Sequence, residues 1–293
     1  MNMQIAGVNF SLSCKQPGTL KNSDPRYRPF LACGDAAIDS IDISLELNNF
    51  PDTREMTRIF DSVQSWALFF EGKDYFLEFK PPAFHEPLWV ANFDSAFEKA
   101  TVHFGERLIS EYDAGLMVLN PLFYPLDQLL IIHILALRDG ALIHAAGMNI
   151  HGRGFIFPGK SGAGKSTLSR LFLGRDNIGM LSDDRVVARK IKGRIEVFGT
   201  PWAGDAGIAE NKHFPLSGIF FIRHANENMI KEIKPKEAVE RLMPVTSIPW
   251  YDEKIMPDIL SFCEDLVFNI PAYELHFKPG KEVVDFFEKF ISA

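Results

Sequence analysis

The sequence predicts two unlike parts, a β-rich (α+β) segment over residues 1–123 and an α/β domain over residues 124–293. Three observations carry this. Short aromatic and β-branched runs broken by turn residues fill the first part. In the second, apolar strands alternate with helical stretches. There, a glycine-rich loop also stands between one such strand and a helix. A length of 293 residues fits two domains at about 100–200 residues each, and a 46% hydrophobic content is enough to build a core.

In the first part, Trp66 to Pro81 holds two β-favouring runs around Gly72, Lys73 and Asp74 and predicts a hairpin. Ala100 to Phe104 and Leu116 to Leu119 predict further strands, and Thr53 to Val63 a helix with Asp52 as its N-cap. Tyr124-Pro125-Leu126-Asp127 starts an apolar helix that Gly140 ends. Strands then follow at Ala141 to Ile150 and Gly154 to Phe157, a helix at Lys165 to Leu173, and a strand at Ile178 to Leu181. A hairpin turns at Lys192-Gly193, and Gly218 to Arg223 is a buried strand. Helices near Lys236 to Leu242 and Asp252 to Phe268, a strand at Tyr273 to Phe277 and a helix from Lys281 to Ile291 complete the pattern.

Composition excludes several classes. With 31 Lys and Arg against 38 Asp and Glu the formal charge is −7, which offers no global field for nucleic acid or anionic membrane. The longest apolar stretch, Leu129 to Leu137, is too short to span a bilayer, which needs about 20 residues. No signal-peptide pattern opens the chain. Cys14, Cys33 and Cys263 are odd in number and widely spaced, so they form neither a disulfide framework nor a metal set, and a reducing cytoplasm is the expected compartment.

The chemistry concentrates in Gly159-Lys160-Ser161-Gly162-Ala163-Gly164-Lys165-Ser166, which fits G-x-x-x-x-G-K-[ST] at every constrained position. At ordinary residue usage that coincidence arises in roughly one sequence in a hundred of this length. Glycines let successive N–H groups point inward, and the helix N-terminus adds partial positive charge, so the loop reads as a phosphate cradle. Lys165 would reach the β and γ phosphates of ATP, Ser166 would sit on Mg²⁺, and Thr167 follows at the helix start. Lys160 adds a cation within the loop, although the pattern accepts any residue there.

Asp183-Asp184 ends an apolar strand where such folds place acids near the metal. Asp183 is read as the base for a hydroxyl nucleophile and Asp184 as metal-associated, an order the sequence leaves interchangeable; solvated turn acids are the plain alternative. His144, in the strand before the loop strand, is either a core histidine or a group that tunes one of these aspartates. Arg185 either pairs with its neighbours or neutralises charge on a transferring phosphoryl group. Gly199 to Asn211, long and without periodic pattern, reads as a mobile substrate-side loop with glycine hinges.

Together, IHAAG, GKSGAGKST, SDDRV and IEVFG resemble the catalytic domain of bacterial HPr kinase/phosphorylase and its relatives, over about residues 124–223. The resemblance implies the P-loop fold shared with phosphoenolpyruvate carboxykinases and ATP-dependent phosphorylation of a serine. It matches His144 to the family's histidine, Asp183 and Asp184 to its paired aspartates, and Glu196 to a glutamate involved with the metal. Thr167 stands where the regulatory enzyme usually has glutamate, Phe198 where it has arginine, and the stretch before Glu196 is short. These departures point away from the phosphorylase reaction and from HPr itself as substrate. The Gly199–Asn211 segment is more similar to related kinases of peptide-modification and polysaccharide-associated gene neighbourhoods.

The expected function is therefore an Mg-ATP-dependent kinase acting on a hydroxyl of a protein, peptide or small metabolite. Its partners would be nucleotide and acceptor, with neither nucleic acid nor membrane, and with a homo-oligomer possible. Two alternatives compete. A transport-type ATPase is opposed by the lack of an LSGGQ signature between the loop and the aspartates. A nucleotide-sensing binding protein has no need of a second carboxylate.

Overall fold

The structure, a computed structural model, describes the chain except residues 15–18, 22, 23, 32–36, 64, 113, 114, 161 and 293, so Cys33 and Ser161 lie outside the described residues. It is a mixed α/β chain, mostly strands, in three sheets. It divides into two compact units. The first is Met1–Ile134 with Trp250–Glu253, and the second is Leu135–Pro249 with Lys254–Ala293. The division falls within the helix that was expected to open the second domain. The four-residue segment that completes the first unit has no local signal.

The first unit contains β1 (Asn2–Ile5), β2 (Val8–Cys14), β3 (Thr19–Lys21), α1 (Arg28–Leu31), β4 (Asp39–Leu47), β5 (Thr57–Asp61), β6 (Trp66–Glu71) and β7 (Asp74–Phe79). It continues through β8 (Trp89–Phe93), β9 (Lys99–Phe104), β10 (Ile109–Tyr112), β11 (Gly115–Leu119) and most of α2 (Leu126–Ala136). Eight strands form one sheet in the order β1-β2-β4-β9-β8-β7-β6-β5, and β10-β11-β3 form a smaller one. The hairpin at Gly72-Lys73 forms as expected, with Glu71 opposite Asp74.

The helix expected over Thr53 to Val63 does not form. Thr57–Asp61 pairs with β6 instead, its Phe60 ring lying 4.7 Å from Trp66 and 4.6 Å from Tyr251. Cross-strand aromatic packing outweighs the weak helical pattern. Asp52 caps no helix and pairs with Arg54.

In α2 the apolar face surrounds one polar group. His133 is buried, its Nδ1–H donates to the Leu129 carbonyl at 2.7 Å, and its Nε2 has no hydrogen-bond partner among the described residues. Phe97, Tyr75, Tyr251 and Phe93 surround the ring at 5.3 to 6.5 Å. Burial pushes its pKa below the usual 6.5, with the Leu129 bond and the Asp252 charge opposing. Asp252 also accepts a hydrogen bond from the Tyr75 hydroxyl at 2.8 Å.

The second unit holds β12 (Gly140–Ile150), β13 (Arg153–Pro158), α3 (Lys165–Phe172), β14 (Ile178–Ser182), β15 (Arg185–Ile191) and β16 (Arg194–Gly199). β17 (His213–His224), β18 (Met229–Glu232), α4 (Pro235–Leu242), α5 (Met256–Asn269), β19 (Ala272–Phe277) and α6 (Glu282–Ser292) follow. The helix expected from Asp252 starts only at Met256, with a proline in its first turn.

Although strands and helices alternate in part, most pairings here are antiparallel; among the described residues of this unit only β13–β17 and β17–β19 run parallel. The long β12 pairs through its first half with β15 and through its second half with β13 and β14. The pairings β12–β15–β16–β17–β13–β12 close a ring of five strands. Phe157, Phe172, Phe220 and Phe287 pack together with ring centroids 4.7 to 6.3 Å apart, fastening α3 and α6 to the sheet. Each such ring stabilises the fold by roughly 1.5–3 kcal/mol. Among the described residues no helix is long and apolar enough to cross a membrane.

One consequence is measurable. The unfolded chain takes a proton at His133 near pH 6.5, whereas the buried ring takes one only at lower pH. Stability from this site is fully present above about pH 6.5 and falls as pH drops below it, by at most about 1.4 kcal/mol per pH unit. Urea unfolding of the wild type and His133→Leu between pH 7.5 and 5 should show a shallower decline in the variant; parallel curves would refute the assignment.

Candidate active site

β13 ends at Pro158, and the chain turns through the glycine-rich loop into α3. Pairing places Ala145 of β12 opposite Pro158, and the Gly159 N–H donates to the His144 carbonyl at 3.2 Å. The sheet register therefore sets His144 beside the start of the loop. Ala163 N–H donates to the Lys160 carbonyl at 3.1 Å, and Gly162 and Gly164 take φ of +82° and +101°, which favour glycine. Gly164 is the N-cap of α3 and offers no side chain to it, leaving first-turn N–H groups for an anion.

Lys165 is 6% exposed. Its ammonium donates to the carbonyls of Gly159 at 2.7 Å and Lys160 at 3.4 Å, and lies 2.9 Å from His144 Nε2. The same Nε2 lies 2.7 Å from Asp184 Oδ1. One ring nitrogen either donates or accepts, so it cannot satisfy both neighbours at once. The hydrogen bond to His144 holds the Asp184 carboxyl below the usual range; burial opposes this, while the charges of His144, Arg185 and Lys165 add to it. Ionised Asp184 thus accepts a hydrogen bond from Nε2–H, and Lys165 turns its own protons to the loop carbonyls. Burial pushes the Lys165 pKa down, with Arg185 adding and the two aspartates opposing. Arg185 Nε stands 3.6 Å from Asp184 Oδ2.

Asp183 has a different environment. It is 2% exposed, and its Oδ1 accepts from the N–H groups of Gly204 at 3.0 Å and Ile208 at 3.2 Å, its Oδ2 from Ala206 at 2.8 Å. It ties down the loop that the sequence suggested as mobile. Further ties are Glu210 N–H to the Leu181 carbonyl at 3.0 Å and Thr200 Oγ1 to the Arg185 carbonyl at 2.7 Å, with Trp202 buried. Gly199 is no hinge: a Cβ there would come within 2.0 Å of the Glu210 carbonyl oxygen, so its role is close backbone approach.

A polar cleft of about 530 Å³ gathers Gly162, Gly164, Lys165, Ser166 and Thr167 of the loop with His144, Asp183 and Asp184. Gly159, Lys160 and Ala163 shape the loop from behind without lining the cleft, and Ser161 is not among the described residues. Glu196 does not reach it. Val186 pairs with Gly199 and Arg189 with Glu196, which puts Glu196 three residues from the cleft end of its strand, about 10 Å at about 3.3 Å per residue. Its carboxylate bonds His213 Nδ1 at 3.0 Å. The cleft also gains Gly204, the exposed Asp205 and His224. Sequence reasoning did not single out His224, whose one local signal is its place at the carboxyl end of a strand.

Among the described residues no three or more His, Cys, Asp or Glu side chains form a metal cage. No protein-family model matches the chain, and no curated protein matches it.

Replacing Asp183 by Asn sets an NH₂ group against backbone donors. The expected cost is about 1.5–3 kcal/mol for the charged hydrogen bonds lost, together with new protease cleavage within residues 201–212. Limited proteolysis with peptide mapping reads this directly; an Asp183→Asn loop as resistant as the wild type would contradict the tethering role.

Proposed function

We propose that this chain is an Mg-ATP-dependent kinase of HPr-kinase-like type, transferring the terminal phosphoryl group to a hydroxyl of a protein serine, a peptide or a small metabolite. The observation that carries the reading is the contact series Lys165, His144, Asp184 set directly against a glycine-rich loop and an uncapped helix N-terminus. A phosphate cradle with a cation and an ionised carboxylate beside it holds the parts phosphoryl transfer needs.

The roles follow from the environments. Both oxygens of Asp183 are engaged by backbone N–H groups, so its first duty is to hold the 204–208 loop against the cleft. Asp184, more accessible and, among the described residues, not tied to backbone N–H groups, is the base. It accepts the hydroxyl proton as the new O–P bond forms and the bond to the leaving diphosphate breaks, and His144 orients its carboxylate. Lys165 leaves the Gly159 carbonyl to neutralise the phosphate chain, and Arg185 adds positive charge next to Asp184.

The donors Ser166 and Asp205 that line the cleft are oxygens, which suits Mg²⁺, a hard cation that keeps several waters. Bound Mg²⁺ would neutralise charge developing on the phosphates. Glu196 is left out of this set. The odd number and wide spacing of the three cysteines fit a reducing cytoplasm.

Calorimetric titration of Mg-ATP, paired with mass spectrometry of phosphate on acceptors in a cell extract, tests this. Lys165→Ala should lose nucleotide binding. Asp184→Asn should bind ATP while transfer falls at least about 100-fold, the scale of general-base catalysis. ADP release without a labelled acceptor would mean an ATPase, and a wild type that binds no nucleotide would end the reading.

A further inference from the structure

The glycine-rich loop stands between two walls. β13, which leads into it, pairs on one side with β12, the strand of His144, and on the other with β17, which ends in His224. β13, β17 and β19 run parallel, so their carboxyl ends open on the same edge, where open α/β sheets place ligands. The proposed chemistry occupies the wall of His144 and Asp184. His224 forms the other wall.

His224 is exposed and lines the cleft. One face of its ring rests on buried Phe277, its partner in the strand register, with centroids 4.7 Å apart and planes 39° apart. Its Nε2 edge is turned on the loop, since a Cβ at Gly164 would come within 2.5 Å of that nitrogen. A ring packed against Phe277, with one edge turned on the loop and the residue exposed in the cleft, can serve as a stacking platform. The terminal phosphate reacts at the acidic wall, so the nucleoside end of the ligand leaves over the opposite wall.

Resting on the reading of the cleft as a nucleotide site, we infer that His224 is the platform for the nucleotide's base. It is a positioning residue that takes a flat aromatic heterocycle against its ring and has no part in the transfer itself.

The test compares calorimetric titrations of Mg-ATP and of magnesium tripolyphosphate, which has the phosphate chain and no base. They are made into the wild type, His224→Ala, His224→Gln and His224→Phe. The wild type should bind ATP more tightly than tripolyphosphate. His224→Ala and His224→Gln should weaken ATP about tenfold, in the range of base–aromatic stacking, with tripolyphosphate unchanged, and His224→Phe should restore ATP. The unchanged tripolyphosphate affinity also reports an intact loop. Equal losses for both ligands, no loss for either, or failure of Phe to restore ATP would overturn the inference. A wild type that binds tripolyphosphate as tightly as ATP removes the platform and leaves the phosphate site standing. One that binds neither removes the nucleotide reading itself.

Discussion

Much of the site depends on a single register, the pairing of Ala145 with Pro158 between β12 and β13. Side chains alternate along a strand, so a slip of one residue would turn His144 to the opposite face and separate it from both Lys165 and Asp184. The register is secured by burial. Ala146, Met148 and Ile150 of β12 share a core with Phe155 and Phe157 of β13, and every one of these side chains is almost wholly withdrawn from water. The same apolar strand that stabilises the unit thus places its one cleft-facing histidine.

The two adjacent aspartates show how one dipeptide serves two ends. Successive residues point apart, and here one carboxylate meets a row of backbone donors while the other meets a histidine and a lysine. The first interaction fixes a loop, and the second sets a charge state. Loss of either would disturb the cleft for a different physical reason, which is why the pair is poorly described as a duplicated acid.

Features written in contiguous residues were legible. The glycine-rich loop, the helix after it, the hairpins at Gly72-Lys73 and Lys192-Gly193, and the run of β12 all follow from local pattern and turn chemistry. Thr57–Asp61 was misread because its fate is decided by Trp66 and Tyr251, which no local window weighs. The division of work between Asp183 and Asp184 was hidden for the same reason, since it turns on N–H groups some twenty residues later. Glu196 was carried in by family likeness, and strand register sets it aside. His224 sits after an apolar strand and acquires meaning only once β17 is seen beside the loop strand.

The short segment Trp250–Glu253 belongs to the first unit although the chain on both sides of it belongs to the second. It supplies Tyr251 to the rings around His133 and Asp252 to the Tyr75 hydroxyl. The polypeptide consequently passes from one unit to the other three times, and no single cut separates them. A fragment beginning near residue 124 would carry Tyr251 and Asp252 without the strands they pack on, and the complementary fragment would leave part of its aromatic core open to water. Modularity of sequence, with its β-rich beginning and its glycine-rich-loop continuation, is not modularity of structure here: neither part could be moved into another protein without taking a piece of the other with it.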